Sequence, residues 1–130
     1  MSKLILIIDD SATVCKIIET CLSREGFEVY GFPDGITAMH WLVETQRIPD
    51  LVILDIVLPK MDGFEVAHRL RQKPQFAQTV IIMLSRHDGM IDRIKGRLAG
   101  ASASMTKPFK AQDVISLVES YLGNPNPKEI

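Results

Sequence analysis

The sequence predicts an α/β fold, a doubly wound five-stranded parallel sheet with helices on both faces. Three observations carry this. Short apolar runs rich in Ile, Val and Leu recur at residues 4–8, 27–32, 51–54 and 80–84, with a weaker fifth at 101–105. Segments whose apolar residues return at a period near 3.6 lie between the runs and after the last, giving a repeated β-α alternation. The runs themselves are apolar without alternation, the mark of strands covered on both sides.

Each element has its own local signals. The first run ends directly in Asp9 and Asp10, and Ser11 behind them is placed to cap a helix whose stripe is Val14, Ile17, Ile18, Cys21 and Leu22. Gly26 ends that helix. The third run finishes at Asp55, after which Asp62-Gly63-Phe64-Glu65 has the spacing of a capping box. The fourth finishes at Ser85, followed by Ile91, Ile94 and Leu98 at helical spacing, with Arg93, Lys95 and Arg97 facing water. The fifth leads into Thr106-Lys107-Pro108, and Val114, Leu117, Val118 and Tyr121 make the last stripe. Pro49, Pro59, Pro74 and Pro108 all fall in connections, where a missing N–H does no harm. Residues 1–122 read as one domain and 123–130, which lack periodicity, as a tail or linker.

Composition narrows the function classes. A chain of 130 residues, 46% apolar and 24% charged with mean hydropathy +0.11, has the make-up of a compact domain and not of a disordered one. A formal net charge of −1 gives no electrostatic reason to expect nucleic acid or an anionic membrane as partner. No apolar run approaches the ~20 residues of a membrane helix, and no basic segment with an apolar signal core opens the chain, so the expected compartment is the cytoplasm. Cys15 and Cys21 stand six positions apart on one helix, roughly 9 Å at ~1.5 Å per residue, too far to bridge. They read as small core or near-surface residues.

In an open parallel sheet, ligands bind beyond the carboxyl ends of the strands. Asp9, Asp10, Asp55, Ser85 and Lys107 all stand there. If the first and third strands are neighbours, their ends lie about 4.8 Å apart and three carboxylates converge. Unaided, that charge raises carboxyl pKa values and opposes folding. A divalent cation relieves it, and an oxygen-only donor set favours magnesium. A lone carboxylate nucleophile at Asp55, a cation, the Lys107 ammonium and the Ser85 hydroxyl are what phosphoryl transfer onto an aspartate needs. Each residue alone is an ordinary turn, cap or solvated charge. The set, at corresponding strand ends, points to a site.

The motifs Ile8-Asp9-Asp10-Ser11, Leu54-Asp55-Ile56-Val57-Leu58-Pro59-Lys60-Met61-Asp62-Gly63, Met83-Leu84-Ser85 and Thr106-Lys107-Pro108-Phe109 together resemble those of a chemotaxis-type response-regulator receiver domain, over residues 3–122. The resemblance implies a flavodoxin-like fold of strand order 2-1-3-4-5. It implies that Asp55 accepts a phosphoryl group from a histidine kinase or phosphotransfer protein, with Asp10 and Asp55 as Mg2+ ligands, Asp9 acting mainly through water, and Val57 giving its backbone carbonyl. Ser85 and Lys107 would bind phosphoryl oxygens, and the Lys107-Pro108 bond would be cis. The segment from Ser85 to Gly100 resembles more narrowly the stand-alone receivers of type IV pilus twitching motility and related cyanobacterial regulators.

One position departs from the family pattern. Ser104, three residues before the lysine, stands where an aromatic side chain usually turns inward on activation. Val57 and His87 flank the expected phosphoryl position; apolar Val57 cannot orient a water, which implies slow self-dephosphorylation, while His87 reads as an exposed loop imidazole. Output would pass to a protein partner on the face of the fourth helix, fifth strand and fifth helix, with Arg93, Arg97, Ser104 and Lys110 as candidate contacts, and with no direct nucleic-acid or membrane partner. The protein would thus act as a switch that catalyses only its own phosphorylation and slow dephosphorylation. Three other readings compete. A Mg-dependent aspartyl-phosphate phosphohydrolase would want a second acid where Val57 stands. A flavin-binding protein would want a phosphate-cradling loop where Asp9 and Asp10 repel phosphate. A receiver-like module that is never phosphorylated would not need all five site residues.

Overall fold

Side chains along a strand point alternately to opposite faces, so an unbroken apolar run requires apolar cover on each side. The computed structural model, which describes residues 2–86 and 89–126, supplies that cover. Strands β1 (Leu4–Ile8), β2 (Glu28–Phe32), β3 (Leu51–Asp55), β4 (Val80–Ser85) and β5 (Ala103–Thr106) alternate with helices α1 (Ala12–Arg24), α2 (Gly35–Thr45), α3 (Gly63–Arg71), α4 (Met90–Ala99) and α5 (Ala111–Leu122). The strands are parallel in the expected order, β2-β1-β3-β4-β5.

Leu4, Leu6 and Ile8 of β1 face one way, with Val52, Leu54, Ile81 and Met83, and pack against α2, α3 and α4 through Ala38, Leu42, Val66, Leu70 and Ala99. Ile5 and Ile7 face the other way, with Ile53, Ile82 and Leu84, and pack against α1 and α5 through Ile18, Leu22, Val114 and Val118. Each fully buried Ile or Leu contributes about 1.5–3 kcal/mol by transfer from water, and those of the three central strands fix the sheet.

The helix ends follow their sequence signals. The Ser11 hydroxyl accepts from the Val14 N–H at 3.2 Å, and Asp62 accepts from the Glu65 N–H at 2.9 Å. Gly26 adopts φ +100° just beyond α1, which a side chain would disfavour. The Lys107-Pro108 peptide bond is cis.

Two elements differ from expectation. The fifth strand starts at Ala103, because the Ala101 N–H is still bonded back to Gly96 O at 2.8 Å in the turn that closes α4. On α4, Ile91, Ile94 and Leu98 are 68%, 52% and 81% exposed, whereas Gly96 and Ala99 are buried. A stripe at helical spacing shows only that residues share a face. Here the small residues take the inner face, and a Cβ at Gly96 would sit 3.6 Å from Met83 Cγ.

Close approach also governs α3. Gly63 donates its N–H to Ile56 O at 2.8 Å, and a Cβ there would collide with Asp55 O and the Ile56 backbone. Gly63→Ala therefore pushes the end of β3 outward. We expect it to cost about 2 kcal/mol, read as a lower urea midpoint at unchanged m-value.

Candidate functional site

Strand register assembles the site. Ile8 pairs with Leu54, so the next residues on β1 and β3, Asp9 and Asp55, stand side by side. Asp55 pairs with Leu84, which puts Ser85 one step beyond it; Ser85 pairs with Thr106, which puts Lys107 one step further. Side-chain oxygens of Asp9, Asp10 and Asp55 lie within 4.8 Å of one another. Asp10 is exposed, while Asp9 and Asp55 are each 1% exposed.

The two buried acids are not equally engaged. Asp9 Oδ1 accepts the Ser11 N–H at 2.9 Å and its Oδ2 accepts from Lys107 Nζ at 2.7 Å. Asp55 Oδ1 takes the Val57 N–H at 3.3 Å and its Oδ2 takes Lys107 Nζ at 3.2 Å. Burial, with the charge of Asp9 added, pushes the Asp55 carboxyl above its usual pKa against the pull of Lys107. Burial alone would depress the Lys107 ammonium, but the hydrogen bond and charge of Asp9, with Asp55 adding, hold it above its ordinary value. Three carboxylates with one ammonium form an oxygen-only set with excess negative charge and one solvent-facing member. These residues fit a hard divalent cation.

Of the residues expected from sequence, Asp9, Asp10, Asp55 and Lys107 are thus brought together. The Ser85 hydroxyl, buried at the end of β4, donates to Asp92 Oδ2 on α4 at 3.0 Å. Asp92 was not anticipated; the available signal was an acid in the first turn of the next helix, seven residues past the serine. The Val57 side chain is 57% exposed beside the site. His87 lies outside the described residues. Arg93, Arg97 and Ser104 line one cavity of about 260 Å³ with Met83, Ile94 and Gly96, while Lys110 is the N-cap residue of α5. Lys95 lies 6.0 Å over the Phe64 ring. Both cysteines are free and partly buried. Cys15 donates to Asp9 O at 3.3 Å, and burial, then the charge of Asp9, pushes its thiol up to about 11, so it stays protonated at neutral pH.

A parallel five-stranded sheet carrying acids and a lysine at its carboxyl edge defines the class. The model for the response regulator receiver domain matches residues 5–119, and the chain belongs to that family. Among relatives, Protein PilG of Pseudomonas aeruginosa is 31% identical over 123 residues, covering 95% of this chain and 90% of its own length. This agrees with the narrower likeness to pilus-motility receivers. The chemotaxis protein CheY4 of Vibrio cholerae superposes with TM-score 0.87 at 26% identity, covering 93% of this chain and 99% of that one. The receiver domain of a signal transduction histidine kinase from Syntrophus aciditrophicus does so with TM-score 0.83 at 28% identity, covering 99% and 97%. The chain is therefore a CheY-like receiver domain of two-component signalling, a family of phosphoryl-accepting modules that bind Mg2+ at an acidic pocket and interact with kinases or phosphotransfer proteins and with downstream partners. Among the described residues no helix is long and apolar enough to cross a membrane.

The raised Asp55 pKa has a stability consequence. The folded protein holds that proton more tightly than the unfolded chain, so stability falls as pH rises from the ordinary value of 3.8 through the raised one. Without divalent cations at pH 7, Asp55→Asn is therefore expected to be more stable than wild type, read as a higher Tm. That gain should vanish below pH 3.8, where the carboxyl is protonated in both states.

Proposed function

We propose that Asp55 is the phosphoryl acceptor of this receiver. The observation that carries the assignment is the unequal engagement of the two buried acids: both Asp9 oxygens are held by short bonds, whereas those of Asp55 are held at 3.3 and 3.2 Å. An Asp55 oxygen forms the new bond to phosphorus while the P–N bond of a donor phosphohistidine breaks. The electron pair stays on the imidazole nitrogen, which takes a proton from solvent. Lys107, already bonded to both acids, passes from the Asp55 carboxylate to a phosphoryl oxygen, and the Ser85 hydroxyl donates to another. Mg2+ held by Asp10, Asp55 and the Val57 carbonyl, with Asp9 acting through water, would neutralise phosphoryl charge. Asp55 itself is the nucleophile, and the chain turns over no other substrate.

The exposed apolar side chains Met90, Ile91, Ile94 and Leu98 on α4 support output through the α4-β5-α5 face. Tyr121 of α5 donates its hydroxyl to Ser102 O at 3.1 Å, tying α5 to the start of β5. The likeness to Protein PilG supports an output in pilus-based motility. Because donor phosphohistidines are made from ATP, the reading assigns the cytoplasm.

Acetyl phosphate with Mg2+ is expected to add one phosphoryl group, seen by intact mass, to the wild type and none to Asp55→Asn. Chelation of Mg2+ should abolish the addition. Steady turnover of phosphate esters would favour a hydrolase, and an unmodified wild type would mean a receiver that is not phosphorylated. With Val57 unable to orient a water, the label should persist for hours after the donor is removed. Loss within seconds would exclude that role for Val57.

A further inference from the structure

We propose that Asp92 is a positioning residue for the phosphoryl site, holding the Ser85 hydroxyl proton while Asp55 is unmodified and releasing it, with the first turn of α4, when Asp55 carries a phosphoryl group. This rests on the reading of Asp55 and Ser85 given above. The Ser85 backbone is fixed: it pairs with Thr106, and its carbonyl accepts the Lys107 N–H at 2.6 Å. Only the side chain is left to turn. A serine hydroxyl has one proton to donate. That proton goes to Asp92 Oδ2 at 3.0 Å, and a phosphoryl oxygen on Asp55 competes for it. Both acceptors are anionic, so each bond is charge-assisted and the two exclude one another.

On the helix side, Asp92 lies in the first turn of α4, whose N-cap residue, Gly89, provides no side-chain cap. Within this turn the Arg93 N–H donates to Gly89 O at 3.3 Å. The Ser85–Asp92 bond therefore ties this turn directly to the end of β4. Ser104 has no ring with which to sense the movement of Ser85. Asp92 makes the same connection by another route: when Ser85 turns toward Asp55, Asp92 loses its partner and the beginning of α4 is freed beside the exposed Ile91 and Ile94. The coupling is reciprocal, so a partner that prefers freed α4 strengthens retention of the phosphoryl group by the same factor.

Fluoroberyllate with Mg2+, an analogue of the phosphoryl group, tests this when binding is followed by amide NMR of the full chain. Asp92→Ala should bind it about tenfold more tightly than wild type, roughly the worth of one charge-assisted hydrogen bond, and Asp92→Asn, which keeps a neutral acceptor, about threefold. Removing a nearby negative charge favours any anion, so the decisive comparison is in a Ser85→Ala background. There the gain from Asp92→Ala should shrink to about twofold or less. In the unliganded Asp92→Ala protein, the Ile94 and Leu98 amides should already be displaced toward their liganded wild-type positions. Equal gains with and without Ser85, no gain at all, or undisplaced α4 amides would overturn the proposal. A wild type that neither binds fluoroberyllate nor is modified by acetyl phosphate would instead overturn the phosphoacceptor reading on which it rests.

Discussion

Two carboxylates, Asp9 and Asp55, stand abreast and buried at the ends of neighbouring strands with a single ammonium bonded to both. Everything at this edge of the sheet answers to that constraint. Like charges at strand spacing repel strongly out of water, and neither acid can withdraw because register locks Ile8 against Leu54. The register is held by the two apolar layers, so packing elsewhere offsets a local electrostatic cost. Lys107 joins residues 98 and 52 positions away in the chain, and it compensates one charge while Asp10 adds another. The edge remains electronegative. A dianionic phosphoryl group cannot enter such a place unaccompanied, and for this reason cation and phosphate belong to one site rather than two.

A second ionic cluster shows that location decides what charge does here. Glu28 on β2 and Arg47, just after α2, make a two-pronged pair at 2.6 and 2.7 Å, which with Tyr30 holds the Glu28 carboxyl down at about 2. Arg47 also lies about 6 Å from the Tyr30 and Trp41 rings. The geometry is better than that at Lys107. Yet both partners are over a third exposed or nearly so, and solvent screens them, so the pair adds little to stability. It is complete as it stands, with one charge of each sign. The strand-end cluster is incomplete, and incompleteness is what makes it receptive.

Much of this was legible in the sequence, for physical reasons. Apolar runs without alternation can only be strands covered twice, and carboxylates immediately after such runs must lie on the ligand-binding edge. The strand order, by contrast, came from family resemblance, because periodicity says nothing of which strands are neighbours. The direction of α4 was not legible either: Ile91, Ile94 and Leu98 mark a face, and only the packing of Gly96 and Ala99 against the sheet shows that this face is the outer one. Nor was the partner of Ser85. A hydroxyl's direction is set by its rotamer and surroundings, and Asp92, an unremarked acid in a charged helix, becomes meaningful only once α4 is placed. The inequality between Asp9 and Asp55 was hidden for the same reason, since it depends on where single N–H groups and one ammonium fall.

The way α4 is held bears on how a receiver can signal without its usual aromatic. The helix meets the rest of the fold through small residues, and its large apolar side chains point outward, so side-chain interlocking restrains it less than it does α1 or α5. Polar contacts fix its ends instead. At the carboxyl end Arg71 of α3 donates from Nε to Gly100 O at 2.9 Å while its Nη1 holds Phe76 O at 2.9 Å, a contact remote from the phosphoryl site. At the amino end one described side-chain tie is Ser85 to Asp92, the bond that on our proposal competes with that site. On that proposal, release of the Ser85–Asp92 bond would let α4 shift about its carboxyl-end contact with Arg71. Such motion would alter the outer apolar face and the cavity between α4 and β5 together, because Ile94 and Arg93 border both. On that proposal the small side chain at Ser104 is no defect: it leaves room beside a helix whose position, rather than an inward-turning ring, would carry the state of Asp55.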